Sequence, residues 1–310
     1  MANKIIIAPT GKYSIGLSKY DLYDEYRNNK LIPLQVYFPS HQNNNAPYEK
    51  VYETRGSKEF TLLKNMVFAK LDSTSNIAQG KFPLVFFSHG NNAIMTDYAT
   101  INEEIASNGF IVVCIQHQLH TDSNPPKFWE SRSCSKHSSI IDDILYVFEW
   151  IKTNNANEFY GKIDSDKTAL IGHSMGGNAL LMLANRTSGI FRKSINTLLL
   201  HDNFENVKEC IVFIDGELQF PYPKKYPILF CLSEERKDYQ VSSGTAKLLE
   251  EAGYEYKHYK GSKHISFMDH AYLGEFPNNI YFDGTKQECE EFYISLRSDI
   301  LRFIRKNLVI

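Results

Sequence analysis

Apolar and polar positions follow two regimes along this chain. Residues 31–38 alternate, the pattern of a strand in an antiparallel edge hairpin. From residue 82 onward the apolar runs become continuous, at 82–87, 110–115, 168–171, 210–214 and 226–232. Unbroken runs of that length are expected of strands covered on both faces. Residues 254–259 read as one more strand. Between the runs lie helical stripes at 97–108, 140–152, 176–185, 245–252 and 290–306. In 140–152, Ile141, Ile144, Leu145, Phe148 and Ile151 recur at helical spacing. Strands alternating with helices predict βαβ units and a mostly parallel sheet with helices on both faces, an α/β fold. Two earlier segments stand apart. Residues 41–47 read as a surface loop. Residues 58–71 carry Phe60, Leu62, Leu63, Met66, Val67, Phe68 and Leu71 with lysines between, which predicts an amphipathic helix. No repeat and no linker interrupts the series, so the expectation is one domain over 1–310.

Composition narrows the function. The 310 residues carry 34 Lys plus Arg against 36 Asp plus Glu, a net charge of −2. A nucleic-acid binder needs a cationic surface to displace counterions, and that balance argues against one. The 43% hydrophobic content suits a packed core and excludes a disordered chain. No stretch approaches the roughly 18 apolar residues of a membrane span. The run Ile5-Ile6-Ile7 is far shorter than a signal-peptide core, and Ala2 excludes N-myristoylation. Cys114, Cys134, Cys210, Cys231 and Cys289 are odd in number and scattered, and three sit in or beside apolar runs. That usage points to a reducing compartment, the cytoplasm, without a disulfide framework.

The informative motif is Gly172-His173-Ser174-Met175-Gly176-Gly177, a G-x-S-x-G where a strand pattern meets a helix pattern. In that context the serine sits on a sharp turn, and glycines two positions away relieve the crowding. Ser174 is therefore the candidate nucleophile. The chain order for such folds is Ser, then Asp or Glu, then His. His258, His264 and His270 follow. His264 is the preferred base, because it lies in the loop after a strand, while His258 falls inside the strand pattern and His270 reads as a surface residue. Asp215 and Glu234 each end an apolar strand pattern, and spacing leaves the choice between them open; Asp202 is a weaker candidate. The turn Ser88-His89-Gly90-Asn91-Asn92 follows the first buried strand. It offers the Asn91 backbone N–H as one oxyanion donor, with the Met175 N–H as the second. His89 reads as support for that turn. His117-Gln118-Leu119-His120 holds two histidines three apart without a third ligand, so no metal site and no cofactor is expected.

At these residues the chain resembles the platelet-activating factor acetylhydrolase family of α/β-hydrolases, in its plasma and intracellular single-chain branch. The likeness begins at Gly11-Lys12-Tyr13-Ser14-Ile15-Gly16. It runs through Val36-Tyr37-Phe38-Pro39-Ser40 and is closest over Phe82-Pro83-Leu84-Val85-Phe86-Phe87-Ser88-His89-Gly90. It continues at residues 105–112, 171–177 and 211–215, and at Gly261-Ser262-Lys263-His264 with Phe267. The resemblance implies an α/β-hydrolase fold with Ser174, Asp215 and His264 as the catalytic residues and Asn91 and Met175 as oxyanion donors. It thereby selects Asp215 over Glu234. It implies hydrolysis of short or oxidised acyl esters of phospholipids or related lipid esters through an acyl-enzyme, with rate falling as acidity rises through the histidine range. The segment 60–71 corresponds to the part of the family that rests on lipid surfaces; a core or lid helix is the equal alternative. Two departures bear on the acyl pocket: Asn91 stands where an apolar residue is usual, and residues 194–209 form a longer stretch. Polyester-cleaving and chlorophyll-cleaving esterases share similar elbows. The rivals are another acyl hydrolase (a carboxylesterase, thioesterase or cutinase-like enzyme) and a non-catalytic binding protein on the same fold.

Overall fold

A computed structural model describes residues 4–42, 48–54, 61–117, 134–187, 208–218 and 226–308. Its strands in chain order are β1 (Lys4–Ile5), β2 (Ser14–Asp24), β3 (Lys30–Ser40), β4 (Tyr48–Thr54), β5 (Thr61–Val67), β6 (Lys70–Leu71) and β7 (Phe82–Ser88). They are followed by α1 (Ala99–Ser107), β8 (Ile111–Ile115), α2 (Cys134–Glu158), β9 (Ile163–His173), α3 (Met175–Thr187) and β10 (Lys208–Ile214). The chain continues through β11 (Ile228–Ser233), α4 (Lys237–Ser242), α5 (Thr245–Glu251), β12 (Glu255–Tyr259), α6 (His270–Leu273) and α7 (Lys286–Leu308).

Nine strands form one sheet in the order β12-β11-β10-β9-β7-β8-β3-β2-β6. All neighbours are parallel except at β3, which runs against both β2 and β8. The continuous apolar runs are explained by what covers each face. Along β7, Leu84 and Phe86 join one core and Val85 and Phe87 the other. Along β10, Ile211 and Phe213 face the first core, and Cys210, Val212 and Ile214 the second. The first core is closed by α2 and α3 (Ile144, Phe148, Leu180, Leu183), the second by α1 and α7 (Ile101, Ile105, Leu296, Ile300). With water excluded from both faces, a polar side chain on either is costly, so the period-2 signal disappears. On α7, Cys289, Phe292, Tyr293, Leu296, Ile300 and Ile304 are buried at the i, i+3, i+4 spacing of a one-sided helix.

The α/β-hydrolase arrangement expected from the sequence is therefore present, and the alternating segment 31–38 is part of β3. That strand lies inside the sheet rather than at its edge, between β2 and β8. The helix expected over 58–71 is a correction. Residues 58–60 lie outside the described residues. Residues 61–67 are β5, paired in antiparallel register with β4 from Tyr48↔Val67 to Thr54↔Thr61 and in parallel with β1. A short apolar segment satisfies helical and extended periods alike, and here backbone pairing to a distant strand decides it. The loop over 41–47 is described at His41 and Gln42 alone. Of the stretch 194–209, residues 194–207, Asp202 among them, lie outside the described residues, and Lys208 and Glu209 open β10.

Candidate active site

The register of the sheet brings two strand ends to one level. Gly172 pairs with Phe213 and His173 with Ile214, so β9 and β10 stop at the same level. Ser174 and Asp215 are the next residues of each. Ser174 sits between the end of β9 and the start of α3 with φ 53°, and its N–H donates to the Ile214 carbonyl at 2.8 Å. Left-handed backbone at a non-glycine residue costs about 1–2 kcal/mol, and here it turns the hydroxyl out over the strand ends. Gly176 makes the turn possible: a Cβ there would collide with the carbonyl oxygens of Ser88 and His89.

Asp215 is fully buried, also left-handed at φ 41°. Its N–H donates to the Cys231 carbonyl at 2.9 Å, and its Oδ1 accepts the Ser233 N–H at 2.7 Å. Arg236 approaches Oδ2 at 3.8 Å and donates from Nη1 to the Asp215 and Gly216 carbonyls, at 3.3 Å each. Burial pushes the Asp215 carboxyl pKa up. The hydrogen bond and charge of His264, with the Arg236 cation and the Ser233 amide, outweigh burial and leave it below its ordinary value.

His264 follows β12 through the turn at 260–263. The Gly261 N–H donates to Glu234 Oε2 at 2.5 Å and the His264 N–H to Glu235 Oε2 at 2.9 Å. From this turn the ring reaches both partners: Nδ1 lies 2.8 Å from Asp215 Oδ2, and Nε2 lies 3.0 Å from Ser174 Oγ. A carboxylate accepts only, so Nδ1 carries the hydrogen and Nε2 offers its lone pair to the serine hydroxyl. That tautomer is the one a general base requires.

The other candidates have other partners. Glu234 holds the turn that carries the imidazole instead of touching it. His258 Nε2 pairs with Gln240 Oε1 at 2.6 Å, and His270 faces Asp97 at 3.4 Å. His89 is buried and accepts the His117 N–H on Nε2 at 3.0 Å, so its Nδ1–H donates to the Gly90 carbonyl at 2.8 Å, as expected of a turn support. Asn91 lies within the turn closed by the Ala93 N–H on the Gly90 carbonyl at 3.3 Å. Met175 opens α3, where helix geometry provides its N–H no acceptor and the helix dipole favours negative charge. His120 lies outside the described residues. Its counterpart His117 belongs to a second, sealed chain: Ser88 Oγ to His117 Nε2 at 2.9 Å and His117 Nδ1 to Asp143 Oδ2 at 3.0 Å. Ser88 is 1% exposed and Asp143 0%. Asp143 also meets Lys30 Nζ at 2.6 Å and Arg27 Nη1 at 2.8 Å.

Sequence reasoning passed over Arg236, Glu235 and Tyr98, a buried tyrosine whose Oη lies 2.9 Å from His173 Nδ1. Arg236 and Glu235 carry a faint signal as charged residues directly after a strand's C-terminal end, where such sheets open. Tyr98, in a helix pattern, carries none.

Comparison with known proteins places this geometry in context. The family described as platelet-activating factor acetylhydrolase, isoform II, matches residues 2–132, and the chlorophyllase family matches residues 68–207. The chain is 28% identical over 222 residues to a platelet-activating factor acetylhydrolase of Cavia porcellus, covering 55% of this chain and 50% of that protein. It is 27% identical over 290 residues to the acetylhydrolase of Canis lupus familiaris, covering 73% and 64%. The chain thus spans about half to two thirds of the length of these relatives. Among solved structures, a ferulic acid esterase of Streptomyces cinnamoneus superposes with TM-score 0.69 at 14% identity, over 99% of this chain and 93% of that one. That likeness is one of fold.

Proposed function

From the premise that this chain has the α/β-hydrolase fold and is related to the platelet-activating factor acetylhydrolases, we propose that it is a serine esterase, with 1–310 as one domain. The observation that carries the reading is the aligned series Ser174 Oγ, His264 Nε2, His264 Nδ1, Asp215 Oδ2, with gaps of 3.0 and 2.8 Å. His264 takes the serine proton as Ser174 attacks the ester carbonyl. The oxyanion that forms is met by the N–H groups of Asn91 and Met175, each donor worth about 3 kcal/mol of transition-state stabilisation. His264 then protonates the leaving alcohol. Water, deprotonated by the same ring, cleaves the acyl-enzyme. The buried Asp215 carboxylate keeps the ring in its working tautomer and stabilises the imidazolium. Every step uses protein groups and water.

The substrate class we propose is a phospholipid or related lipid ester with a short or oxidised acyl group. The chlorophyllase match over 68–207 supports a second reading within the same chemistry, a carboxylesterase acting on another bulky alcohol's ester. Among the described residues no helix is long and apolar enough to cross a membrane. Contact with a lipid surface through 58–71 would be made by the β4–β5 ribbon, not by a helix. A cytoplasmic setting is proposed on the free, buried thiols of Cys210, Cys231 and Cys289.

Ser174→Ala is expected to lower turnover by several orders of magnitude with the fold intact. Retention of most esterase activity would sink the assignment. A panel of esters varying acyl length and leaving alcohol, run on the wild type, separates the lipid-ester reading from the broader one. Failure of a fluorophosphonate to label the wild-type protein would favour a binding protein on this fold.

A further inference from the structure

A run of buried hydrogen bonds that no step above uses passes beneath the reacting atoms. The Gly90 N–H donates to Tyr98 Oη at 3.3 Å, Tyr98 Oη lies 2.9 Å from His173 Nδ1, and His173 Nε2 lies 3.0 Å from the His264 carbonyl oxygen. Tyr98 is 0% exposed and His173 2%. The polarity is fixed by chemistry. A carbonyl oxygen only accepts, so His173 Nε2 carries the hydrogen. A neutral ring then leaves Nδ1 bare, so the Tyr98 O–H donates to it, and the Tyr98 oxygen keeps lone pairs for the Gly90 N–H. Burial, with the neighbouring His264 charge second, depresses the His173 pKa to about 3, so the ring stays neutral and the polarity stays single-valued.

Each terminus of this run is one bond or one residue from a working group. Gly90 precedes Asn91, whose N–H is the proposed oxyanion donor. His173 precedes Ser174. The accepting carbonyl belongs to His264 itself. The packing leaves little slack: a Cβ on Gly90 would stand 3.0 Å from Ser174 Cβ and 3.2 Å from His173 Nδ1. The His173 and His264 rings lie 4.8 Å apart, tilted by 33°.

We infer that Tyr98 and His173 are positioning residues for ester hydrolysis, setting the oxyanion turn and the His264 loop in fixed attitude to Ser174 without touching substrate. The inference rests on the serine-esterase reading. It assigns the Gly90-Asn91 peptide its orientation through Tyr98, and the His264 main chain its height through His173.

Three variants test it: Tyr98→Phe, which deletes the hydroxyl; His173→Asn, which keeps an acceptor for Tyr98 but no longer reaches His264; and Tyr37→Phe as control. Tyr37 is a fully buried tyrosine on β3 whose hydroxyl donates to Gln35 Oε1 at 3.0 Å. Active sites are counted by fluorophosphonate end-point titration, and kcat on a short nitrophenyl ester is divided by that count. Tyr98→Phe and His173→Asn are expected to lose about tenfold or more in kcat per titrated site with KM held within about threefold, since the oxyanion contact is made in the transition state. Tyr37→Phe should keep the wild-type value. A purely structural role would lower the count of sites and the melting temperature but leave kcat per site unchanged. Values within twofold of wild type in both variants overturn the inference, as does the absence of titratable sites in both, which would assign the run to holding the fold. If the wild type neither titrates nor turns over, the esterase reading itself fails. An active wild type with silent variants sinks only the positioning role.

Discussion

At the scale of the residue, Asp215 and Glu234 show what spacing leaves undecided. Both are carboxylates at the end of a parallel strand, and in sequence they are equivalent. In space one touches the imidazole and the other grips the turn carrying it. Asp215→Asn should therefore cost about 10⁴ in kcat, because an amide stabilises the wrong imidazole tautomer. Glu234→Gln should cost far less, within about tenfold, and a steady-state comparison of the two variants decides between them. The acid limb of the rate profile follows from the neighbours of His264. It works only as the neutral base, so protonating the ring removes activity. His173, held neutral down to about pH 3, adds no second ionisation above that pH. A plot of log kcat/KM against pH should thus rise with unit slope on the acid side, and a slope of two would reveal a second coupled ionisation. The proposed nucleophile and base were legible in the sequence because each sits beside a backbone break that its neighbours announce. Tyr98 and Arg236 were not, since their role is set by contacts made 75 residues away in one case and by a loop's final pose in the other.

At the scale of the element, the turn from β9 to α3 depends on the absence of a side chain at Gly176. Gly176→Ala would drive a methyl against the Ser88 and His89 carbonyls, which belong to the segment bearing the other proposed oxyanion donor. A loss of about 1–3 kcal/mol is expected, read as a lower urea midpoint, together with reduced turnover per active site. Wild-type stability in Gly176→Ala would mean that the turn relaxes freely. Elements with a local cause were readable: the continuous apolar strands and the one-sided α7 declare themselves within a dozen residues. The β4–β5 ribbon did not. Its seven-residue register joins segments whose pairing no local period encodes, so 61–67 was open to a helical reading.

Across the whole molecule, the sheet divides two apolar cores, and the polar groups trapped near its C-terminal edge govern how stability responds to acid. His89 and His173 each lie at about 3, depressed first by burial and then by His117 and His264 respectively. The unfolded chain takes up those protons near 6.5. Their stabilising contribution is therefore complete above pH 6.5 and is progressively lost as pH falls toward 3. Asp269 caps α1 through the Ala99 and Thr100 amides and is raised by burial to about 6. Its contribution runs the other way, with stability lost as pH rises from about 4 to 6. His258, also lowered by burial, acts in the same direction as the two buried histidines, so the balance is a loss of stability on acidification between pH 6 and 4. Urea midpoints at pH 4, 5 and 6 check this; an unchanged midpoint would count against it. His173→Asn should flatten the slope. One more consequence lies in the sealed Ser88–His117–Asp143 series, a decoy that matches the proposed catalytic trio in composition and nearly in its distances. Geometry gives both serines a paired imidazole, but only Ser174 has a route to reagent. Peptide mapping after organophosphorus treatment should find a single adduct, on the peptide bearing Ser174, and none at all in Ser174→Ala. An adduct appearing on Ser88 would reveal that the protein breathes open along β7 far enough to admit a small electrophile.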